Sequence, residues 1–90
     1  MLGMSELAGQ VSLYPLGQDD ISPAIDAALA VFAAHDLRVD TGPMSTTLSG
    51  DDDVLFAALH EATMAAANLG RMVMVVTLSN ACAVPGSEEP

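Results

Sequence analysis

Ninety residues make one domain with a thin core of its own, since a chain this short buries only about 60–65% of the surface its unfolded form exposes. Apolar residues are 51% of the chain and mean hydropathy is +0.43, yet aromatics are 3% and Trp is absent, so the grease is Ala, Val, Leu and Met. Twelve acids against Arg38 and Arg71 give a formal charge of −10, which disfavours nucleic acid and anionic membranes as partners and favours a cationic ligand.

The segment Met1–Gly9 reads as an N-terminal extension without the basic start and apolar run of a signal peptide. Gln10–Leu16 predicts the first strand, with Val11 and Leu13 on one side, Ser12 and Tyr14 on the other, and Pro15 and Gly17 as its stop. Ser22-Pro23 then reads as an N-cap and first-turn pair. Ile21, Ile25, Ala28, Leu29, Phe32 and Ala33 recur at helical spacing as far as Asp36.

Leu37–Thr41 and Met44–Ser49 predict a hairpin turned by Gly42-Pro43, with the shorter, charged member at an edge. The run Asp51-Asp52-Asp53 reads as a helix start, where one aspartate caps and the others complement the dipole. Leu55, Ala58, Leu59, Ala62, Ala66 and Leu69 form the stripe of that helix, and Gly70 ends it.

Arg71–Ser79 is the last predicted strand, apolar at odd and even positions alike, as expected for a strand covered on both faces. Asn80-Ala81-Cys82 follow, and 83–90 read as a loose tail. The domain is therefore expected to span 10–82.

The order β-α-β-β-α-β is that of the split βαβ, or ferredoxin-like, unit: an α+β sandwich with a four-stranded antiparallel sheet and two helices on one face. Ser12, Tyr14, Ser45 and Thr47 are then expected to converge on the helix-free face. Met72, Met74, Val76 and Leu78 are assigned to that face as well, with Val73, Val75 and Thr77 under the helices. So greasy a face calls for a covering partner. Met74→Asp is accordingly expected to break an oligomer.

Recognisable chemistry is sparse. His35 and His60 fall on different helices and neither has a partner at metal-ligand spacing. No glycine loop suits a phosphate. Cys82, the single cysteine, has no neighbour to lower its pKa and reads better as a packed or ligand-contacting thiol than as a nucleophile.

The segments Val11-Ser12-Leu13-Tyr14-Pro15-Leu16, Gly42–Asp51 and Val73–Cys82 together resemble the YkoF-type thiamine/hydroxymethylpyrimidine-binding domains over nearly all of 10–82. The resemblance implies the same ferredoxin-like fold, homo-oligomerisation (as a dimer or tetramer) or tandem domains through sheet faces, and reversible, non-catalytic binding of thiamine or its pyrimidine. It also implies a link to thiamine-precursor transport. No cofactor is expected beyond that ligand.

Carried over by motif, Ser12 and Tyr14 from the first strand and Ser45 and Thr46 from the third would touch the pyrimidine. Strand alternation favours Thr47 over Thr46, and both are retained. Asn80 adds an amide from the neighbouring strand. Gly42 stands where some members carry a polar residue. A cytoplasmic protein is expected. The alternatives are a structural or regulatory oligomerising module, and a small enzyme on the same fold using Cys82 or Tyr14.

Overall fold

The computed structural model describes residues 6–17, 19–42 and 45–81. Along the chain run β1 (Glu6–Pro15), α1 (Ser22–Ala34), β2 (Arg38–Thr41), β3 (Thr46–Asp51), α2 (Asp52–Ala67) and β4 (Met72–Ser79). The strands form one antiparallel sheet in the order β2-β3-β1-β4, so β1 and β3 are central, as the ferredoxin-like order requires. β1 starts at Glu6, four residues before the expected start at Gln10, because 6–9 pair with β3 and β4 instead of preceding the sheet. Met44, Cys82 and the tail lie outside the described residues.

Alanine sets the spacing of the helix layer. α1 buries Ala24, Ala28 and Phe32; α2 buries Leu55, Ala58, Ala62 and Ala66. Small side chains let the helices approach each other and the sheet, and Phe32, Leu48 and Leu55 fill what remains.

Pro23 occupies the first turn of α1, where a missing N–H costs nothing. Ser22 lies inside that helix and is not its cap. Its N–H donates to Asp20 Oδ1 at 3.1 Å, so Asp20 takes up one of the exposed donors of the first turn. Asp51 stands at the cap position of α2 without a capping bond, while Asp52 and Asp53 in the first turn meet the positive end of its dipole. Gly70, with φ of 146°, closes the turn after α2.

Register decides which side chains face the helices. Val11, 4% exposed, lies in the core opposite Thr46 of β3 and Val76 of β4, and facing partners in an antiparallel pair share a side. Met72, Met74, Val76 and Leu78 therefore point to the helix side, where Met74 and Val76 pack on the core and Thr63 Oγ1 lies 3.5 Å from Met74 Sδ. Val73, Val75 and Thr77 take the helix-free side. This reverses the expected assignment of β4. Alternation had the period right, but one residue of register exchanges the faces of a strand, and β4 is apolar in both phases.

Gly9 shows how tightly the chain passes beneath α2. A Cβ there would meet Leu78 Cδ2 at 3.1 Å and Leu55 Cδ2 at 3.9 Å. His35 joins the helices at the other level: its Nδ1 donates to the Val31 carbonyl at 2.9 Å and its Nε2 faces Glu61 Oε1 at 3.6 Å. Its place is structural.

Candidate functional site

The helix-free face is built by all four strands, with Arg38 and Asp40 of β2 opposite Ser49 and Thr47 of β3. On β1, Ala8, Gln10, Ser12 and Tyr14 point to it by alternation. On β3, Thr47 faces Gln10 and Ser49 faces Ala8, so both join them. Ser45, just before β3, accepts a hydrogen bond from Gln10 Nε2 at 3.1 Å, which holds the hydroxyl against the centre of the face. On β4, Val75 lies opposite Ser12 and Val73 opposite Tyr14.

Ser12, Ser45 and Thr47 are thus neighbours around Gln10, with Tyr14 one pleat beyond. Adjacent strands stand about 4.8 Å apart and same-face residues about 6.6 Å apart along a strand, so a single heterocycle can reach several of these groups. Val73 and Val75 form the apolar flank at 46% and 49% exposed, and Tyr14 offers its ring at 53% exposed.

Thr46 and Asn80 are placed elsewhere. Thr46 faces Val11 on the helix side and is buried. Asn80 follows Ser79, which pairs with Ala8; Tyr14 lies six residues along β1 from Ala8, so within one subunit Asn80 stands at the far end of the sheet. Gln10 is the residue that reading the chain overlooked as a site member. Its signal was present: it has the parity of Ser12 and Tyr14, and an amide there can both donate and accept.

A second concavity, about 130 Å³, opens on the helix side between α1 and the β2–β3 turn. Its walls are apolar, from Val11, Leu13, Ile25, Leu29 and Phe32, and its polar groups come from Thr41, Ser45 and Thr46. Ser45 thus belongs to both settings.

Ser49 is the one buried side chain among the described residues whose oxygen has no hydrogen-bond partner. No group of three or more His, Cys, Asp or Glu side chains among those residues is arranged to hold a metal ion. No helix among them is long and apolar enough to cross a membrane.

A ferredoxin-like domain with a hydroxyl- and amide-bearing sheet face belongs to the class of small α+β domains that display a patterned surface on a rigid sheet. Residues 9–81 match the family model for thiamine-binding protein, and the chain belongs to that family. It is 38% identical over 63 residues, 69% of its length, to the UPF0045 protein MJ1052 of Methanocaldococcus jannaschii; the matched part spans 63% of that relative, under two thirds. The crystal structure of the same M. jannaschii protein superposes with a TM-score of 0.79 and 31% identity, covering 94% of this chain and 87% of that one. A domain of unknown function from Bacillus cereus gives a TM-score of 0.76 at 23% identity, covering 92% and 85% of the two chains. A candidate thiamine biosynthesis/salvage protein from Thermotoga maritima gives 0.73 at 17%, covering 81% of each. At such identities the last two bear on the fold alone.

Proposed function

We propose that this protein is a non-catalytic binder of thiamine or its hydroxymethylpyrimidine moiety, with the ligand on the helix-free face and enclosed by the sheet of a second copy. The observation that carries this reading is the grouping of Gln10, Ser12, Ser45 and Thr47 on adjacent positions of the central strands, in a chain of the thiamine-binding family. An aminopyrimidine alternates donors and acceptors along its edge, and hydroxyls and an amide can pair with either kind. Tyr14 supplies a ring to stack on, and Val73 and Val75 an apolar flank. The thiazolium of thiamine is a cation, which a subunit of charge −10 attracts. Asn80 would act only from a second copy. Delivery to a transport system for thiamine precursors belongs to the same reading.

Catalysis is not part of it. A hydroxyl needs a base bonded to it to act as a nucleophile; Ser45 Oγ accepts instead from the neutral Gln10 amide, and Asp40 stands opposite Thr47 with no hydrogen bond to its hydroxyl.

The test is calorimetric titration of the folded protein with thiamine and with hydroxymethylpyrimidine. A hydrogen bond between neutral groups contributes about 0.5–1.5 kcal/mol, so Ser12→Ala and Thr47→Val should each weaken binding by about 2–12-fold. Absence of heat with both ligands would remove the reading. The helix-side cavity supports a second placement of the same pyrimidine, against Thr46 and Ser45. There Thr46→Val, and not Thr47→Val, would lower the affinity.

A further inference from the structure

From Ser12 and Ser45 the helix-free face continues in cross-strand rows toward the other end of the sheet. In the next row Gln10 lies opposite Thr47, and Asp40 of β2 flanks Thr47 on its other side. One row further, Ala8 lies opposite Ser49, and Arg38 flanks Ser49. The last row sets Glu6 against Asp51. Facing partners share a side of the sheet, so these residues all stand on the face that carries Ser12. Polarity thus changes in steps: neutral hydroxyls, a carboxylate, a guanidinium, then two carboxylates. Asp40 and Arg38 are exposed, and Arg38 is one of 2 cations in a chain with 12 acids.

Ser49 adds an observation independent of charge. It is 2% exposed, and its oxygen has no hydrogen-bond partner among the described residues. A buried hydroxyl left so is a cost that a bound acceptor would remove. A phosphate oxygen is such an acceptor, and Arg38, directly opposite, supplies the complementary charge. Charges on an edge strand also discourage pairing with other chains, but that role explains neither their order along the face nor the unpartnered oxygen.

We propose that the site prefers the phosphate monoester of its ligand to the free alcohol, with the thiazolium beside Asp40 and the phosphate held by Arg38 and Ser49. The inference rests on the thiamine reading above and concerns which form of that ligand binds. Same-face rows stand about 6.6 Å apart. In the ligand one methylene joins the pyrimidine to the thiazolium, and a two-carbon arm joins the thiazolium to the phosphate. A neutral ring, a cation and an anion therefore meet the rows of Ser12, Asp40 and Arg38 in that order. The bound thiazolium neutralises Asp40, which leaves Arg38 to the phosphate. The charge of the whole subunit matters less at contact, because the Debye length is about 8 Å at physiological ionic strength. The last row sets a limit. A diphosphate would carry its terminal group toward Glu6 and Asp51, where two carboxylates repel it.

Calorimetric titration of the full chain, at one salt concentration, with thiamine, its monophosphate and its diphosphate tests the order of groups. The monophosphate should bind about tenfold more tightly than thiamine, the gain expected of a charge-assisted contact. The diphosphate should bind more weakly than the monophosphate. Arg38→Gln, folded by circular dichroism, should abolish the advantage of the monophosphate and leave the affinity for thiamine unchanged, and Arg38→Lys should restore part of it. Asp40→Asn should weaken thiamine and its monophosphate alike, by about 2–5-fold, and spare uncharged hydroxymethylpyrimidine. A monophosphate that binds no more tightly than thiamine would overturn the inference and leave the thiamine reading standing. So would an advantage that survives Arg38→Gln, or a diphosphate that binds best. Absence of heat with all three compounds would remove both.

Discussion

Ser49 is 2% exposed, stands in a central strand between Arg38 and Ala8, and has an oxygen without a partner. A buried unsatisfied hydroxyl costs about 1–3 kcal/mol, so its removal should help the fold. Ser49→Ala is expected to raise the stability of the free protein by about 1 kcal/mol, read from the midpoint of a urea titration. A loss of that size would show that the hydroxyl has a partner in solution. The neighbouring residue behaves in the opposite way. Leu48 is wholly buried against the helices, and Leu48→Ala should cost about 2–5 kcal/mol in the same titration. Adjacent positions of one strand thus differ in sign because one faces the core and the other carries an unpaired polar atom.

At the scale of elements, β4 shows what alternation can and cannot tell. The predicted order of elements and the central placement of β1 and β3 follow from hydrophobic period, turn glycines and aspartates, all of which act locally. The facing of β4 does not, because it depends on how two strands distant in sequence align. For β1 the contrast of Val11 and Leu13 with Ser12 and Tyr14 settles the faces; Met-Val-Met-Val offers no such contrast. The same physics decides the site. Thr46 and Thr47 are chemically identical, and only the pairing of Thr46 with Val11 and of Thr47 with Gln10 separates the cavity lining from the open face. Gln10 was missed because its amide gains meaning from Ser45, which is far away in the chain. The corrected facing has a measurable sign. Met74→Asp places a charge under α2 beside Thr63 and should cost about 3 kcal/mol or more of stability, while Val73→Asp, outside the subunit's own core, should change the stability of the dissociated subunit by less than about 1 kcal/mol. Equal losses in chemical denaturation, at a protein concentration low enough to hold the subunit alone, would mean that the register is wrong.

At the scale of the molecule, charge and grease oppose each other. The chain is 51% apolar and exposes Tyr14, Val73 and Val75 on one face, yet it carries a formal charge of −10. The acids keep such a surface soluble, and they also repel a second copy. Screening separates these effects, because the Debye length falls from about 10 Å at 0.1 M salt to about 3 Å at 1 M. Self-association through the sheet face should therefore strengthen as sodium chloride is raised from low to molar concentration. Binding of the thiazolium cation should weaken over the same range, since the attraction that brings it in is the one being screened. Uncharged hydroxymethylpyrimidine should be nearly indifferent to salt when measured at a protein concentration that holds the assembly constant. Sedimentation equilibrium and calorimetry across a salt series give the three slopes. An association that dissolves with added salt would mean that the contact is made by ion pairs, and the hydroxyl- and valine-bearing centre of the face could then not supply it.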